Sequence, residues 1–231
     1  MYFVGRTEAG KLLAETIAKD YADKPCAVVA LSEGGVMVGV QIAVKLKAVI
    51  SLLLAEPIEI PSENEPIGTV SETGTFAYNN AYSSGEIDEL MIDYRGFVED
   101  EKRVELNRMH QMMGSNSGLR PELLVDKYII LVSDGFSSCY ALDTAKEFLK
   151  PIRNKGIIVA APVASGDAVD RMHSIADKIY CLNVVDSYLD TEHYYEHHDV
   201  PRREEVIKVV EEIMQQWREP RGRTNKASGT K

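Results

Sequence analysis

The sequence lacks any long apolar segment and has no basic leader. A membrane-spanning helix needs roughly 20 consecutive apolar residues, and no stretch of this chain approaches that length. The first residues, Met1-Tyr2-Phe3-Val4-Gly5-Arg6, carry neither the basic cluster nor the apolar core of a signal peptide. We therefore expect a cytoplasmic protein with no membrane partner.

Cysteine and positive charge are also scarce. The three cysteines, Cys26, Cys139 and Cys181, are odd in number and far apart, which favours reduced thiols, and their spacing matches no zinc site. There are 26 Lys and Arg residues against 36 Asp and Glu residues, which gives a formal net charge of -10. Because binding to a nucleic acid backbone depends on clustered cations, we expect no nucleic acid partner.

The chain length suits one domain with a core that needs no disulfide or structural metal, since it has 231 residues. We assign residues 1–217 to that domain. The remaining residues, 218–231, combine five Lys and Arg residues with Gly, Ser, Thr and Asn. This composition predicts a basic, flexible tail.

A strand, a polar turn and a helix follow one another between residues 128 and 149. The apolar run Tyr128 to Val132 leads into a glycine-containing turn that ends at Tyr140. Apolar residues at helical spacing predict a helix over 141–149, which Pro151 then ends. Such a unit is where doubly wound α/β proteins bind anionic ligands.

The same order recurs elsewhere in the chain. Strands are predicted at 26–31, 49–54, 157–163 and 178–182, with helices at 6–21, 36–46 and 167–176. Thr7 is the predicted N-cap of the first helix. Successive strand and helix units imply parallel strands joined by right-handed crossovers. The predicted fold class is therefore α/β, a doubly wound and mainly parallel sheet with helices on both faces.

Residues 54–82 interrupt this rhythm. Three prolines predict an extended connection, and residues 68–71 and 74–78 predict short antiparallel strands, which together form a small hood. Apolar residues among many charges over 86–113 predict one or two surface helices. A final helix is predicted over 201–217, with an apolar stripe of Val206, Val209, Val210, Ile213 and Met214.

Several segments, taken in order, resemble the type I phosphoribosyltransferases, and in particular their small, mostly uncharacterised bacterial branch. The similarity extends through about residue 200. It is carried by Phe3 to Gly10, Ala30 to Val36, Ile67 to Val70, Glu101 to Arg108, Leu131 to Ala141, and Val159 to Val163.

The resemblance implies a site for phosphoribosyl pyrophosphate at the strand ends. Asp134 corresponds to an acid that binds the ribose hydroxyls, and we take it as the catalytic residue. The turn that follows implies a cradle for the 5′-phosphate at a helix N-terminus, and the earlier glycine turn implies a pyrophosphate loop. The implied substrate-binding residues are Ser32, Glu33, Gly34, Gly35, Ser133, Gly135, Phe136, Ser137, Ser138, Cys139 and Tyr140.

The match to this family pattern is partial. Ser133 replaces the first of two adjacent acids, and Ala141 replaces a threonine. Cys139 stands where the family has a glycine, and a positive φ at that position would distort the phosphate cradle. Glu33 replaces the arginine of the pyrophosphate loop, and a carboxylate repels a pyrophosphate group.

Two functions stay open. The chain either binds phosphoribosyl pyrophosphate or a related phosphorylated ribose or nucleotide and transfers the phosphoribosyl group to a nitrogenous base, or it is an inactive homologue that acts as a sensor or interaction subunit. Mg²⁺ is implied only where phosphoribosyl pyrophosphate is bound. The resemblance also leads us to expect a homodimer.

Three other features allow a structural or a functional interpretation. The histidines at 193, 197 and 198 include an i, i+4 pair that could bind a divalent metal if the segment is helical, and otherwise they belong to a solvated loop. Cys139 is a thiol of lowered pKa at a helix start, or a small packing residue. Arg6 is a structural residue or one that faces a phosphate.

Overall fold

The chain is built from two sheets and six helices in the part that the structure describes. A computed structural model describes residues 2–61, 63–113, 119–198 and 200–216. Its helices are α1 Arg6–Tyr21, α2 Glu33–Leu46, α3 Ser84–Met113, α4 Tyr140–Leu149, α5 Gly166–His173 and α6 Arg203–Gln216. Its strands are β1 Cys26–Ala30, β2 Val49–Leu52, β3 Ala55–Ile58, β4 Gly68–Ser71, β5 Phe76–Tyr78, β6 Tyr128–Val132, β7 Gly156–Ser165 and β8 Lys178–Val185.

The larger sheet has five parallel strands in the order β2-β1-β6-β7-β8. Successive residues of β1 point to opposite faces, so Val28 joins the core beneath α1, α2 and α6, whereas Val29 joins the core beneath α4 and α5. Burial on both faces explains the continuous apolar runs of these strands. The predicted fold class, a doubly wound α/β sheet, is confirmed.

The strand order places a topological switch point between β1 and β6. From β1 the chain proceeds outward to β2, and from β6 it proceeds in the other direction to β7 and β8. The connections therefore leave the sheet on opposite sides, and a crevice opens between the carboxyl ends of these two strands. Open α/β sheets bind ligands at such a crevice.

The hood is a separate antiparallel sheet in the order β3-β4-β5. Two of its strands match the prediction, but β3 lies in the segment that was expected to be an extended connection. Pro57 is compatible with this strand because β3 is at the edge of the sheet. The region predicted as one or two surface helices is one helix, α3, whose Val98 and Met109 are buried against the hood and α6 side of the core.

Several boundaries and side chains differ from the predictions. Helix α1 begins at Arg6 with Gly5 as its N-cap, so the prediction of Thr7 as the cap is wrong. Val44 of α2 is apolar but half exposed. Trp217 and the predicted basic tail, 218–231, lie outside the described residues. Among the described residues, none of the helices has both the length and the apolar character needed to cross a bilayer.

One buried carboxyl group lies at the tip of the hood. Glu72 follows β4 and is only 5% exposed. Its backbone N–H donates to Leu54 O at 3.1 Å, and its carbonyl accepts from His110 Nε2 of α3 at 2.7 Å. Neither side-chain oxygen has a hydrogen-bond partner within the described residues. Burial therefore raises the pKa of Glu72 to about 8, against a smaller opposing effect of nearby backbone N–H groups.

We expect this group to make the folding stability depend on pH. Because the folded pKa lies above the ordinary value of 4.5, the folded state holds its proton more tightly, and stability is lost as the pH rises from 4.5 to about 8. In wild type this group should lower the free energy of unfolding by up to about 1.4 kcal/mol per pH unit over that range, and Glu72→Gln should remove this contribution. Urea denaturation at pH 6 and pH 8 measures it, with the exposed Glu122→Gln as the control. An equal loss in wild type and Glu72→Gln would contradict the assignment.

Candidate functional site at the carboxyl ends of β1 and β6

Strand β6 leaves the parallel ladder where its neighbour β7 carries a proline. Ser133 N donates to Ala160 O at 3.3 Å. In a regular parallel ladder the N–H of residue 162 would then donate to the carbonyl of Ser133, but Pro162 has no N–H. Pairing with β7 resumes at Phe136. Asp134 and Gly135 lie between these points outside the ladder, with no change of register, and we call them the ladder break. The side chain of Asp134 faces the end of β1.

Asp134 lies in a buried polar cluster between the two strand ends. Its Oδ2 accepts a hydrogen bond from Arg6 Nε at 2.8 Å. Its Oδ1 accepts from Ser32 Oγ at 2.7 Å and from Ser133 Oγ at 3.4 Å. Asp134 is 7% exposed and Arg6 is 1% exposed. The carboxylate that the resemblance assigns to ribose binding is thus neutralised by a cation from α1, and both of its oxygens are engaged.

The predicted pyrophosphate loop is the first turn of a helix. Helix α2 begins at Glu33, whereas the sequence predicted its start at Val36. Ser32 is its N-cap, and Ser32 Oγ accepts from Gly35 N at 2.9 Å. The glycines therefore lie within regular helix, and the N–H of Gly35 is occupied by the cap.

Gly34 allows the close approach of α2 to the ion pair. A Cβ at this position would lie 1.9 Å from Asp134 Oδ2 and 2.7 Å from Arg6 Nε. Such distances are shorter than any non-bonded contact, so a larger residue would displace the carboxylate or the guanidinium. The glycine is needed here for the space that it leaves and not for an unusual φ.

A second acid and an aromatic ring hold Arg6. Its Nη2 donates to Glu192, and its guanidinium lies 4.5 Å from the ring centre of Tyr195. Burial lowers the pKa of Arg6, but its two acidic partners outweigh that effect and the net shift is upward. Glu192 also accepts from His198 Nδ1 at 2.5 Å. Burial raises the pKa of Glu192, but the hydrogen bonds from His198 and Arg6 make the net shift downward.

Residues 186–198, which we call the strap, follow β8 and cover the ladder break. Tyr195 Oη donates to the backbone carbonyl of Asp134 at 2.6 Å. Tyr188 Oη lies 2.1 Å from the position of a Cβ at Gly135, so any larger residue there would collide with the strap. The strap is also joined to the N-terminal segment, because Phe3 N donates to Tyr194 O at 2.9 Å. The strap and the N-terminal segment therefore cover the crevice together.

The residues before α4 present a different surface. Ser137 and Ser138 are exposed, and Cys139 is the N-cap but makes no side-chain capping hydrogen bond. The first N–H groups of a helix have no acceptor within the helix. Together with the positive end of the helix dipole, they form a place for an anion. This end of α4 is where the resemblance places the phosphate cradle.

Cys139 is a packing residue in this structure. Its φ is -113°, so the strain expected from replacing a glycine is absent. Its Sγ lies 3.5 Å from Ala168 O, and burial raises the pKa of the thiol to about 12, followed in size by the effect of Asp143. The interpretation as a low-pKa thiol is therefore wrong, and the packing interpretation is confirmed.

Tyr140 connects α4 to the hood. Its hydroxyl donates to Glu65 of the hood, and its pKa is raised to about 12 by burial and then by this carboxylate.

Asp143 lies in the first turn of α4 and has two partners. Asn80 Nδ2 donates to Asp143 Oδ2 at 2.9 Å, and Arg171 Nε donates to the other oxygen at 2.9 Å. The acid in the first turn of α4 is therefore neutralised, which leaves this helix end open to an external anion.

The histidines of the strap do not form a metal-binding pair on a helix. A short 3₁₀ turn covers Glu192–Tyr194, and His197 and His198 follow in non-helical chain. His197 contacts Val4 O through Nδ1 at 2.7 Å. Among the residues that the structure covers, no three His, Cys, Asp or Glu side chains are grouped to hold a metal. The alternative of a polar loop is confirmed.

Two cavities lie away from the strand ends. The first, about 380 Å³, lies between the hood and α3 and is strongly acidic. The second, about 510 Å³, lies at the start of α1 and includes Lys11 and His197. Residues 32–35 and 133–140 line neither of them. The residues that line the first are Glu63, Tyr82, Glu86, Glu89, Leu90, Asp93 and Tyr94.

The sequence predicted the strand-end residues but missed those that cover them. Tyr188, Glu192 and Tyr195 lie more than 50 residues after the ladder break, and no spacing pattern in the sequence relates them to it. Arg6 was noted, but its pairing with Asp134 was not predicted. Apart from the resemblance, a basic residue next to a helix start was its only signal.

We expect Gly34→Ala to destabilise the protein, because the added methyl group overlaps Asp134 and Arg6. Overpacking in a well-packed interior costs about 1–3 kcal/mol, and disturbing the ion pair places this substitution at the upper end. Gly85→Ala is a matched control, since Gly85 is also the second residue of a helix and a Cβ there meets nothing within 4 Å. Urea denaturation of both variants measures the difference. Equal stabilities would contradict the close approach described above.

Comparison with known proteins adds sequence and fold relatives. No family model matches the chain. A protein named "Putative phosphoribosyl transferase" in two strains of Mycobacterium tuberculosis, CDC 1551 and H37Rv, is 26% identical over 182 residues. That match covers 78% of this chain and 40% of the relative, so the chain spans less than half the length of the curated protein that it matches.

Among solved structures, the protein TT1426 from Thermus thermophilus superposes with a TM-score of 0.72 at 23% identity, over 94% of this chain and 99% of its own. This likeness shows the fold. A hypoxanthine phosphoribosyltransferase from Staphylococcus aureus matches with a TM-score of 0.46 at 10% identity, over 80% of this chain and 77% of its own, which is too weak to add to the argument. The resemblance predicted from the sequence agrees with the name of the curated Mycobacterium tuberculosis relative, and the chain shares the fold of TT1426.

Proposed function

We propose that this protein binds a phosphorylated ribose or a nucleotide at the carboxyl ends of β1 and β6, with the 5′-phosphate at the N-terminus of α4. The observation that carries the proposal is the exposed, uncapped start of α4 at Ser137 and Ser138, directly after the central strand β6. A phosphate fits there because backbone N–H groups and serine hydroxyls are its usual partners at a helix start.

Phosphoribosyl pyrophosphate is the ligand that the family resemblance implies. Transfer of its phosphoribosyl group to a nitrogenous base, with release of pyrophosphate, is the associated reaction. In that reaction Asp134 would accept hydrogen bonds from the ribose hydroxyls, and Glu33, in the first turn of α2, would lie on the pyrophosphate side.

Mg²⁺ belongs to this proposal only together with a diphosphate group. The described residues offer no cluster of three acidic, histidine or cysteine side chains for a metal, and Asp134 is already neutralised by Arg6. Glu33 is the carboxylate best placed to reach an ion that the ligand's phosphate oxygens hold. A metal held mainly by phosphate oxygens is usual for Mg²⁺.

A second candidate function is that of an inactive homologue that senses such a ligand. Two observations favour it. Both oxygens of Asp134 accept hydrogen bonds from the protein itself, and the acid at position 33 replaces the cation that a doubly charged leaving group requires. Ligand binding and ligand turnover are therefore to be measured separately.

The test is isothermal titration of the whole chain with phosphoribosyl pyrophosphate and Mg²⁺, ribose 5-phosphate and a nucleotide panel. We expect saturable binding that Ser138→Glu weakens at least about tenfold, because a carboxylate then competes for the start of α4. Ser84→Glu is the control, since it adds the same charge to the first turn of α3.

Each outcome separates the candidates. Binding with pyrophosphate release in the presence of a base supports the transferase, whereas binding without release under any base supports the sensor. Absence of binding at millimolar ligand would overturn both. Equal weakening of binding by Ser138→Glu and Ser84→Glu would show that the phosphate does not bind at the start of α4.

A further inference from the structure

We propose that the contact between Arg6 and Asp134 is an autoinhibitory latch, which keeps the ribose side of the site closed and which the strap holds in place. This inference rests on the proposed function, because it concerns access to the same site. It assigns to Arg6 a role in competition with the ligand, and to Glu192 a role in holding Arg6.

Arg6 and a ribose diol need the same acceptor. Arg6 Nε donates to Asp134 Oδ2 at 2.8 Å, and Ser32 occupies Oδ1 at 2.7 Å. A carboxylate has further lone pairs, but a group that is 7% exposed leaves no room for two additional hydroxyls. A diol can therefore bind Asp134 only when the guanidinium moves away.

The strap controls the movement of Arg6. Glu192 holds the outer end of the guanidinium, and the ring of Tyr195 covers it at 4.5 Å. Tyr195 Oη is in turn attached to Asp134 O. Arg6 cannot leave while these residues stay in place, since it is almost completely buried beneath them.

The outer end of this chain of contacts, at Glu192 and His198, is accessible to solvent. The side chain of Glu192 is 42% exposed, and that of its partner His198 is 70% exposed. Exposed ion pairs contribute little to stability and are easily exchanged. The strap can therefore release Arg6 from the solvent side without disruption of the sheet.

The latch separates recognition of phosphate from recognition of ribose. The start of α4 is exposed while the latch is closed, so a phosphate can bind there without movement of Arg6. The ribose hydroxyls contribute only after Arg6 has moved. We therefore expect wild-type protein to distinguish poorly between ribose 5-phosphate and 2-deoxyribose 5-phosphate, which differ by one hydroxyl of the diol.

The experiment is isothermal titration of both sugar phosphates into wild type and Arg6→Gln. Wild type should bind them with Kd values within about twofold of each other. In Arg6→Gln the ribose compound should bind about tenfold more tightly than the deoxy compound, the effect of hydrogen bonds to a charged acceptor. Lys11→Gln is the control, because it removes the same charge from the same helix and should behave as wild type.

A second variant covers the case in which Arg6→Gln does not fold. Glu192→Gln keeps Arg6 but loosens the strap, and should increase amide hydrogen exchange over 186–198 together with a smaller gain in selectivity for ribose. Glu196→Gln is its control, since Glu196 is exposed on the same segment. Faster exchange without any change in selectivity would overturn the latch.

The results distinguish this inference from the function on which it rests. Both sugar phosphates binding equally to wild type and Arg6→Gln, with Ser138→Glu weakening both, would overturn the latch and leave the proposed function intact. Wild type that already selects ribose strongly would also overturn it. Binding of neither compound to any variant would overturn the proposed function and the latch together.

Discussion

The buried ion pair between Arg6 and Asp134 is the interaction on which the arrangement of this site depends. It joins the first turn of α1 to the end of the central strand β6, across 128 residues of sequence. A buried charge is costly unless it is paired, so the burial of each of these residues is favoured by the other. Glu192 adds a third segment, and the N-terminus, the sheet and the strap are thereby held together at one point.

Under the proposed function, this interaction competes with ligand binding. The doubly wound sheet brings two glycine-containing turns to its switch point, where an anionic ligand is expected. In this chain the acid at that point is used internally, and the glycine at 34 serves to bring α2 against the ion pair. The start of α4 keeps its exposed serines, so the two halves of the site differ in what remains accessible.

Much of this architecture could be predicted from local patterns. The apolar runs of β1, β6 and β7 predicted buried parallel strands, because only a sheet covered on both faces needs such runs. The resemblance then indicated which strand ends to compare. Helix boundaries were less certain: the start of α2 at Glu33 depends on capping by Ser32 and on packing against Asp134, and a glycine pair by itself favours a turn.

The sequence by itself determined the fold class, the order of the main strands and helices, and the position of the candidate site after β1 and β6, since these follow from short-range periodicity and turn residues. Only the tertiary structure decided that Asp134 is paired with Arg6, that the strap covers the ladder break, and that the pairing of β6 with β7 is interrupted after Ser133, opposite Pro162. These features join residues that are distant in sequence. No local pattern specifies them, because long-range contacts are set by packing, burial and the pairing of buried charge.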